Sequence, residues 1–210
     1  MSEQKKDLFD VKAYDYALPE RLIAQNPAEP RDASRLLLVE RDVERVSHRI
    51  FRDLPDLIRP GDLLILNDTK VIQARLRGTK VSGGARVEVL LLKPLSEDGR
   101  NWEGLVRPGR KLQPGQTVQL ADGEILLIGE RLPEGLRKIT FLGDRDVRSI
   151  LKELGEMPLP PYIKETDAPP ERYQTVYARK EGSSAAPTAG LHFTESLFER
   201  LEKNGVERAW

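Results

Sequence analysis

An α/β domain interrupted by a small antiparallel β-barrel is the fold this sequence predicts, and three features predict it. Two continuous apolar runs, RLLLVE at 35–40 and LLILN at 63–67, read as strands covered on both faces, as in an α/β layer. Between residues 70 and 142 short strand-like runs alternate with Gly/Pro turns, and none has helical periodicity, which suits a small barrel or sandwich. Amphipathic helical stripes return at 146–155 and 194–205. The chain therefore divides into an α/β part, 1–69 with 143–210, and an inserted β part, 70–142. Its 210 residues suffice for a core in each.

The elements follow in order. LPERLIAQ at 18–25 starts with Pro19, tolerated in a first helical turn, and Leu22 and Ile23 give it an apolar side, so a helix is expected. RDLPDLI at 52–58 reads as a short helix ended by the turn Pro60-Gly61-Asp62. In the β part VIQARLRG, ARVEVLLLKPL, WEGLVRPG, TVQLADGEILLIGE and RKITFLG supply strands whose alternating Val, Arg and Glu positions fit one wet face. In DVRSILKELG, Asp146 caps, Val147, Ile150, Leu151 and Leu154 form the stripe, and Gly155 stops the helix. Five prolines (Pro158, Pro160, Pro161, Pro169 and Pro170) then rule out helix and inner strand. In TESLFERLEKNG, Thr194 caps, Phe193 and Phe198 stand at staple spacing, Leu197 and Leu201 face inward, and Gly205 ends the helix. VERAW begins a last strand.

Charge and composition narrow the function. The chain holds 34 basic and 34 acidic residues, but residues 70–111 carry ten Lys/Arg against four Asp/Glu, a surplus of six. Such a module is one footprint of a polyanion partner, nucleic acid above all; otherwise its strands simply carry cations on their wet face. No apolar run approaches the ~20 residues of a membrane helix. The opening MSEQKKDLFD lacks the h-region of a signal peptide, and there is no cysteine, so a cytoplasmic chain with no membrane partner is expected. Neither a Rossmann fingerprint nor a P-loop is written here, and Gly182 with Ser184 fails the G-x-S-x-G elbow at Ala186. Two histidines without cysteine build no familiar zinc site, although carboxylates can hold Mg²⁺.

Four stretches carry candidate chemistry. Asn67, Asp68 and Thr69 follow the second apolar strand, where α/β sheets place ligands; equally, Asn and Asp close turns. VRPGRK sets Arg107, Arg110 and Lys111 around a Pro-Gly turn, either to fork onto phosphate or carboxylate oxygens or as a solvated hairpin tip. RYQTVYA alternates Tyr173, Thr175 and Tyr177 on one face of an expected strand, to stack a base or to fill a core. SSAAPTAGLHFT is small and uncharged up to His192, so Gly190 and the alanines let backbone approach a ligand beside the helix capped by Thr194, where amides and dipole favour an anion. His192 is there either an acid, base or donor near neutral pH, or a packing residue.

The blocks IAQNPAEPRDASRLL, GDLLILNDTKVIQARL, LVRPGRKL, GEMPLPPYI, RYQTVYA and AAPTAGLHFT occur in this order. Over essentially the whole chain they resemble the S-adenosylmethionine:tRNA ribosyltransferase-isomerases of queuosine biosynthesis. The resemblance implies a barrel-like α/β domain with an inserted β-barrel. It also implies transfer, with rearrangement, of the ribosyl part of S-adenosylmethionine onto 7-aminomethyl-7-deazaguanine at the tRNA wobble position. Epoxyqueuosine forms, and adenine and methionine leave. S-Adenosylmethionine is then a co-substrate, no metal or redox cofactor is expected, and the protein is a monomer or weak homodimer.

By the same resemblance His192 or Asp68 is the base that removes a proton beside the sulfonium. Asn67, Thr69, Thr188, Gly190, Phe193 and Thr194 line the S-adenosylmethionine pocket. Tyr173 and Tyr177, with Thr175 between them, stack adenine or the modified base, and Arg107, Arg110 and Lys111 meet tRNA phosphate or the methionine carboxylate. The chain departs from the family pattern at Lys70, Gln73 and Ser184. Family members continue well beyond Trp210, so the α/β domain is expected to be incomplete. The rival expectation is a catalytically incomplete fragment that keeps RNA binding through the basic β module. A different small-molecule transferase on the same scaffold is a further one.

Overall fold

The structure, a computed structural model, describes residues 9–110 and 112–210. It opens with short 3₁₀ turns and an antiparallel hairpin, β1 (Arg35–Glu40) with β2 (Arg45–Ile50). The first apolar run is thus a strand, but it is covered on one face only. Leu36 and Leu38 are half-buried, whereas Leu37 and Val39 are exposed. Side chains alternate across a strand, and a two-stranded hairpin packed on one side leaves every second residue uncovered. The helix expected at 18–25 is a single 3₁₀ turn, Glu20–Leu22. Leu22 is exposed, and without a packed face so short a helix has nothing to hold it. The next helix is also 3₁₀, Phe51–Asp56, and contains Pro55, which has no N–H to donate to an α-helical ladder.

After β3 (Leu63–Ile65) and β4 (Thr69–Val71) the chain enters a closed barrel. Its strands are β5 (Arg75–Lys80), β6 (Arg86–Pro94), β7 (Asn101–Arg107), β8 (Thr117–Leu120), β9 (Ile125–Arg131) and β10 (Arg137–Phe141). They close in the order β10-β7-β6-β5-β8-β9, every pair antiparallel. Closure leaves no sheet edge unpaired. The period of two sends Leu76, Val89, Leu91, Val118, Leu126 and Ile139 fully inside. α1 (Val147–Leu154) adds Val147, Ile150 and Leu151 to the same core. Asp146 caps it, its Oδ2 accepting from Ser149 N at 3.0 Å, and that bond holds the carboxyl below its usual pKa. Gly155 ends α1, but at φ −75° rather than in the left-handed region. Space is what demands glycine: a Cβ there would overlap the carbonyls of Gln73 and Leu151.

The chain then returns to the strands it left. β11 (Lys180–Ser183) runs parallel to β4, and β12 (Glu207–Ala209) runs parallel to β3. Between them lies α2 (Glu195–Lys203), capped by Thr194 Oγ1, which accepts from Leu197 N at 3.2 Å. Phe193 and Phe198 stack at 4.8 Å, and Gly205 at φ 75° takes the left-handed stop. Leu197, Phe198, Leu201 and Val206 form a second core against Phe51, Leu54, Leu64 and Leu66. The second apolar run is therefore also covered on one side: Leu63 and Ile65 are 55% and 75% exposed. RYQTVYA is not a strand. It begins in a 3₁₀ turn, Pro170–Tyr173, and continues irregularly because the Gln174 amide takes the backbone of Val71 for itself. Its Oε1 accepts from Val71 N at 3.0 Å and its Nε2 donates to Val71 O at 2.6 Å. Among the described residues no helix is long and apolar enough to cross a membrane.

Gly104 faces the barrel interior where β6, β7 and β10 meet, and a Cβ there would lie 2.5 Å from Leu90 O and 2.6 Å from Ile139 Cδ1. Gly104→Ala should cost about 1–3 kcal/mol, the usual price of overpacking a tight core. Urea melts of the two proteins read this directly; equal midpoints would mean the barrel yields at this point.

Candidate active site

Two loops come together beside the second core. One is the turn between β3 and β4. Asn67 Oδ1 accepts from Thr69 N at 2.9 Å, so this asparagine shapes a turn, while Thr69 enters β4. Asp68 is buried, and its Oδ2 accepts from Arg179 Nε at 3.2 Å and Nη2 at 3.0 Å. Its carbonyl takes the N–H groups of Arg179 and Lys180 as β11 begins. The Arg179 guanidinium also lies 4.6 Å over the ring of Trp210.

The other loop is the 3₁₀ segment Thr188–His192 before α2. A continuous run of rings joins it to the first. Trp210 lies 5.3 Å from Tyr177, whose ring meets Phe193 and Phe198 edge-on. Phe193 packs edge-on to Phe51 at 5.0 Å, and Phe51 tilts against His192 at 5.2 Å. The structure thus links Asp68, Tyr177, Phe193 and His192 through shared neighbours.

His192 is half-buried, and that burial pulls its pKa below 6.5. A backbone hydrogen bond involving Arg31 opposes the shift, and the charge of Arg31 reinforces it. The imidazole is accordingly neutral at pH 7 and free to accept a proton. Arg31 also fixes the loop: Nη1 donates to Arg172 O and Leu191 O at 3.1 Å each, and Nη2 to Glu171 O at 2.9 Å. Burial raises the Tyr177 pKa, so its hydroxyl stays protonated.

Gly190 packs against protein side chains. A Cβ on it would overlap the Tyr177 hydroxyl and sit 3.0 Å from Thr175 Cγ2, so here the glycine makes room for protein side chains. Thr175 Oγ1, buried beside it, has no hydrogen-bond partner among the described residues, a state that costs roughly 1–3 kcal/mol until something fills it. Thr194 is occupied as the cap of α2, and Thr188 is exposed at the start of the 3₁₀ segment. Tyr173 is buried with its hydroxyl 3.4 Å from Thr166 Oγ1; lacking a strand, it does not share a face with Tyr177.

Arg107 ends β7 and Arg110 follows on the next loop, both exposed at the barrel rim, where the buried Arg137 holds the Gly109 and Leu112 carbonyls. Lys111 lies outside the described residues. No group of three or more His, Asp or Glu able to hold a metal occurs among the described residues. Arg31, Arg179, Gln174 and Arg137 all shape these loops and were not singled out from the sequence. Their partners lie far off, 140 or more positions away for Arg31, and a donor to distant carbonyls leaves no local pattern.

Comparison with known proteins gives the lineage. The family model described as "Queuosine biosynthesis protein" matches residues 11–210. A relative from Symbiobacterium thermophilum, named S-adenosylmethionine:tRNA ribosyltransferase-isomerase, is 53% identical over 197 residues, 92% of this chain and 57% of its own length. One of the same name from Heliobacterium modesticaldum is 52% identical over 202 residues, 94% and 58%. The chain thus spans under three fifths of the length of these curated relatives. A crystal structure of S-adenosylmethionine tRNA ribosyltransferase from Thermotoga maritima is 37% identical and covers 93% of this chain and 56% of its own, with a TM-score of 0.38. The chain belongs to the queuosine biosynthesis protein family.

Proposed function

We propose that the chain works as an S-adenosylmethionine:tRNA ribosyltransferase-isomerase. It would move the ribosyl group of S-adenosylmethionine onto 7-aminomethyl-7-deazaguanine at the tRNA wobble position, with loss of adenine and methionine. The observation that carries this reading is a neutral, half-buried His192 on a loop clamped by Arg31, in a chain half identical to proteins of that name. In this reading residues 1–69 and 143–210 belong to one barrel-like α/β unit interrupted by the β unit 70–142, and the parallel pairs β3–β12 and β4–β11 support it.

The chemistry follows from charge. A sulfonium makes the adjoining C–H acidic, because the positive sulfur stabilises the electron pair left behind. A neutral imidazole can take that proton, and the neighbouring Arg31 charge disfavours keeping it, so His192 gives it up readily to a leaving group. Asp68 is the weaker candidate because its Oδ2 is already paired with Arg179. Thr175 Oγ1 offers an unspent hydrogen bond to a polar ligand group, with Tyr173 or Tyr177 as stacking surface, and Arg107, Arg110 and Lys111 meet phosphate or the methionine carboxylate. A second reading, RNA binding without catalysis, draws on the surplus of six positive charges in 70–111.

Adenine release from S-adenosylmethionine tests the proposal. Release that requires tRNA carrying the aminomethyl-deazaguanine base is expected; RNA binding with no release would favour the second reading. His192→Asn should lower kcat by about 10²–10⁴-fold with the thermal midpoint little changed, and a near-normal rate would return His192 to packing. The pH profile has a defined sign. With its folded pKa depressed, His192 is neutral at pH 7, so kcat/KM should fall as pH drops through that lowered pKa. Stability should fall as pH drops from 6.5 towards that lowered pKa, because the unfolded chain takes up the proton first, and His192→Asn should remove that part of the slope.

A further inference from the structure

We infer that the outer face of strands β5, β6 and β7 is a phosphate-binding track for an RNA backbone, separate from the loops around His192. The partner's identity rests on the proposed function; the surface itself rests on register and charge. Pairing places Arg77 opposite Glu88, and Glu88 opposite Arg107. Two residues back along β6, Arg86 lies opposite Thr79, which lies opposite Gln119 of β8. These outward side chains border a surface cleft of about 760 Å³.

The charges there do not balance. Among the described residues Glu88 is the cleft's only carboxylate, and its Oε1 lies 4.0 Å from Arg75 Nε. Arg77 is taken by Glu156 at 2.8 Å. Arg86 and Arg107 make no ion pair among the described residues. Glu88 faces Arg77 and Arg107 across the strands, so Arg86 is the cation with no acidic partner opposite it, and a bound anion can neutralise it.

The occupant is extended. Arg77 and Arg107 flank Glu88 across three adjacent strands spaced about 4.8 Å apart, and Arg86 stands two residues along β6, so the cations spread over the barrel exterior and do not cage one ion. The cleft is lined by Arg77, Arg86 and Arg107 against Glu88, within a segment, 70–111, that carries a surplus of six positive charges in a neutral chain, and such a surface attracts a polyanion. Among the described residues no aromatic side chain lines the cleft to stack a base. The track holds phosphates and is indifferent to sequence, whereas recognition of the modified base belongs elsewhere.

The test is fluorescence anisotropy of the full chain with a labelled, unmodified RNA stem-loop, between about 50 and 200 mM salt. Arg86→Gln and the Arg86→Gln, Arg107→Gln double variant are compared with Lys203→Gln, which removes equal charge from α2. The log Kd versus log salt slope should become shallower by about 0.7–0.9 for each arginine removed and stay unchanged for Lys203→Gln. Equal slopes for Arg86→Gln and Lys203→Gln, or no RNA binding by the unaltered chain at about 50 mM salt, would overturn the inference. So would tighter binding of poly-glutamate than of RNA, which would assign the face to an acidic protein. Slope changes without adenine release would keep the track and reject the catalytic reading; tRNA-dependent release with unchanged slopes would do the reverse.

Discussion

Entry to and exit from the barrel are stitched together by two backbone hydrogen bonds. Arg75 N donates to Glu156 O at 3.2 Å and Glu156 N donates to Arg75 O at 2.8 Å. Gly155, pressed against the Gln73 carbonyl, lets the two segments approach. Everything outside the barrel depends on that closeness. β3 and β4 are three residues each and too short to stand alone, and their partners β11 and β12 arrive more than a hundred residues later. Were the two ends of the barrel segment apart, those partners would arrive in the wrong place, and the turn carrying Asp68 would lose Arg179.

The loops of the candidate site face a different shortage. Prolines cluster at 158–170 and at Pro27 and Pro30, and each removes a backbone donor. Carbonyls left without ladder partners are then met by long side chains. Arg31 serves Glu171, Arg172 and Leu191; Arg172 Nη2 serves Ala28 at 2.5 Å; Gln25 serves Tyr162 at 3.1 Å. The loop backbone is held by guanidinium and amide forks in place of a sheet. This explains how the chain around His192 keeps one geometry without regular structure.

What could be read from the sequence follows the range of the forces. The barrel strands and the caps of α1 and α2 were legible because alternation, Asp146, Thr194 and Gly205 act within a few residues. The one-sided cover of β1 and β3 was not, since an apolar run looks the same whether one or two layers meet it. RYQTVYA misled for a related reason: its alternation is real, but Gln174 spends its amide on Val71 and prevents a ladder. Within the candidate site, the residues on the loops were visible as small or polar stretches next to a cap. Arg31 and Arg179, which position those loops, act across the fold.

The uneven spread of charge has a consequence before any contact forms. A neutral molecule with a cationic barrel and an anionic remainder is an electric dipole, and in the field of a nucleic acid it experiences a torque even though the net pull on it is small. At physiological salt the field is felt over roughly 8 Å, so the turn happens in the last moments of approach. A polyanion would therefore turn the molecule barrel first before contact.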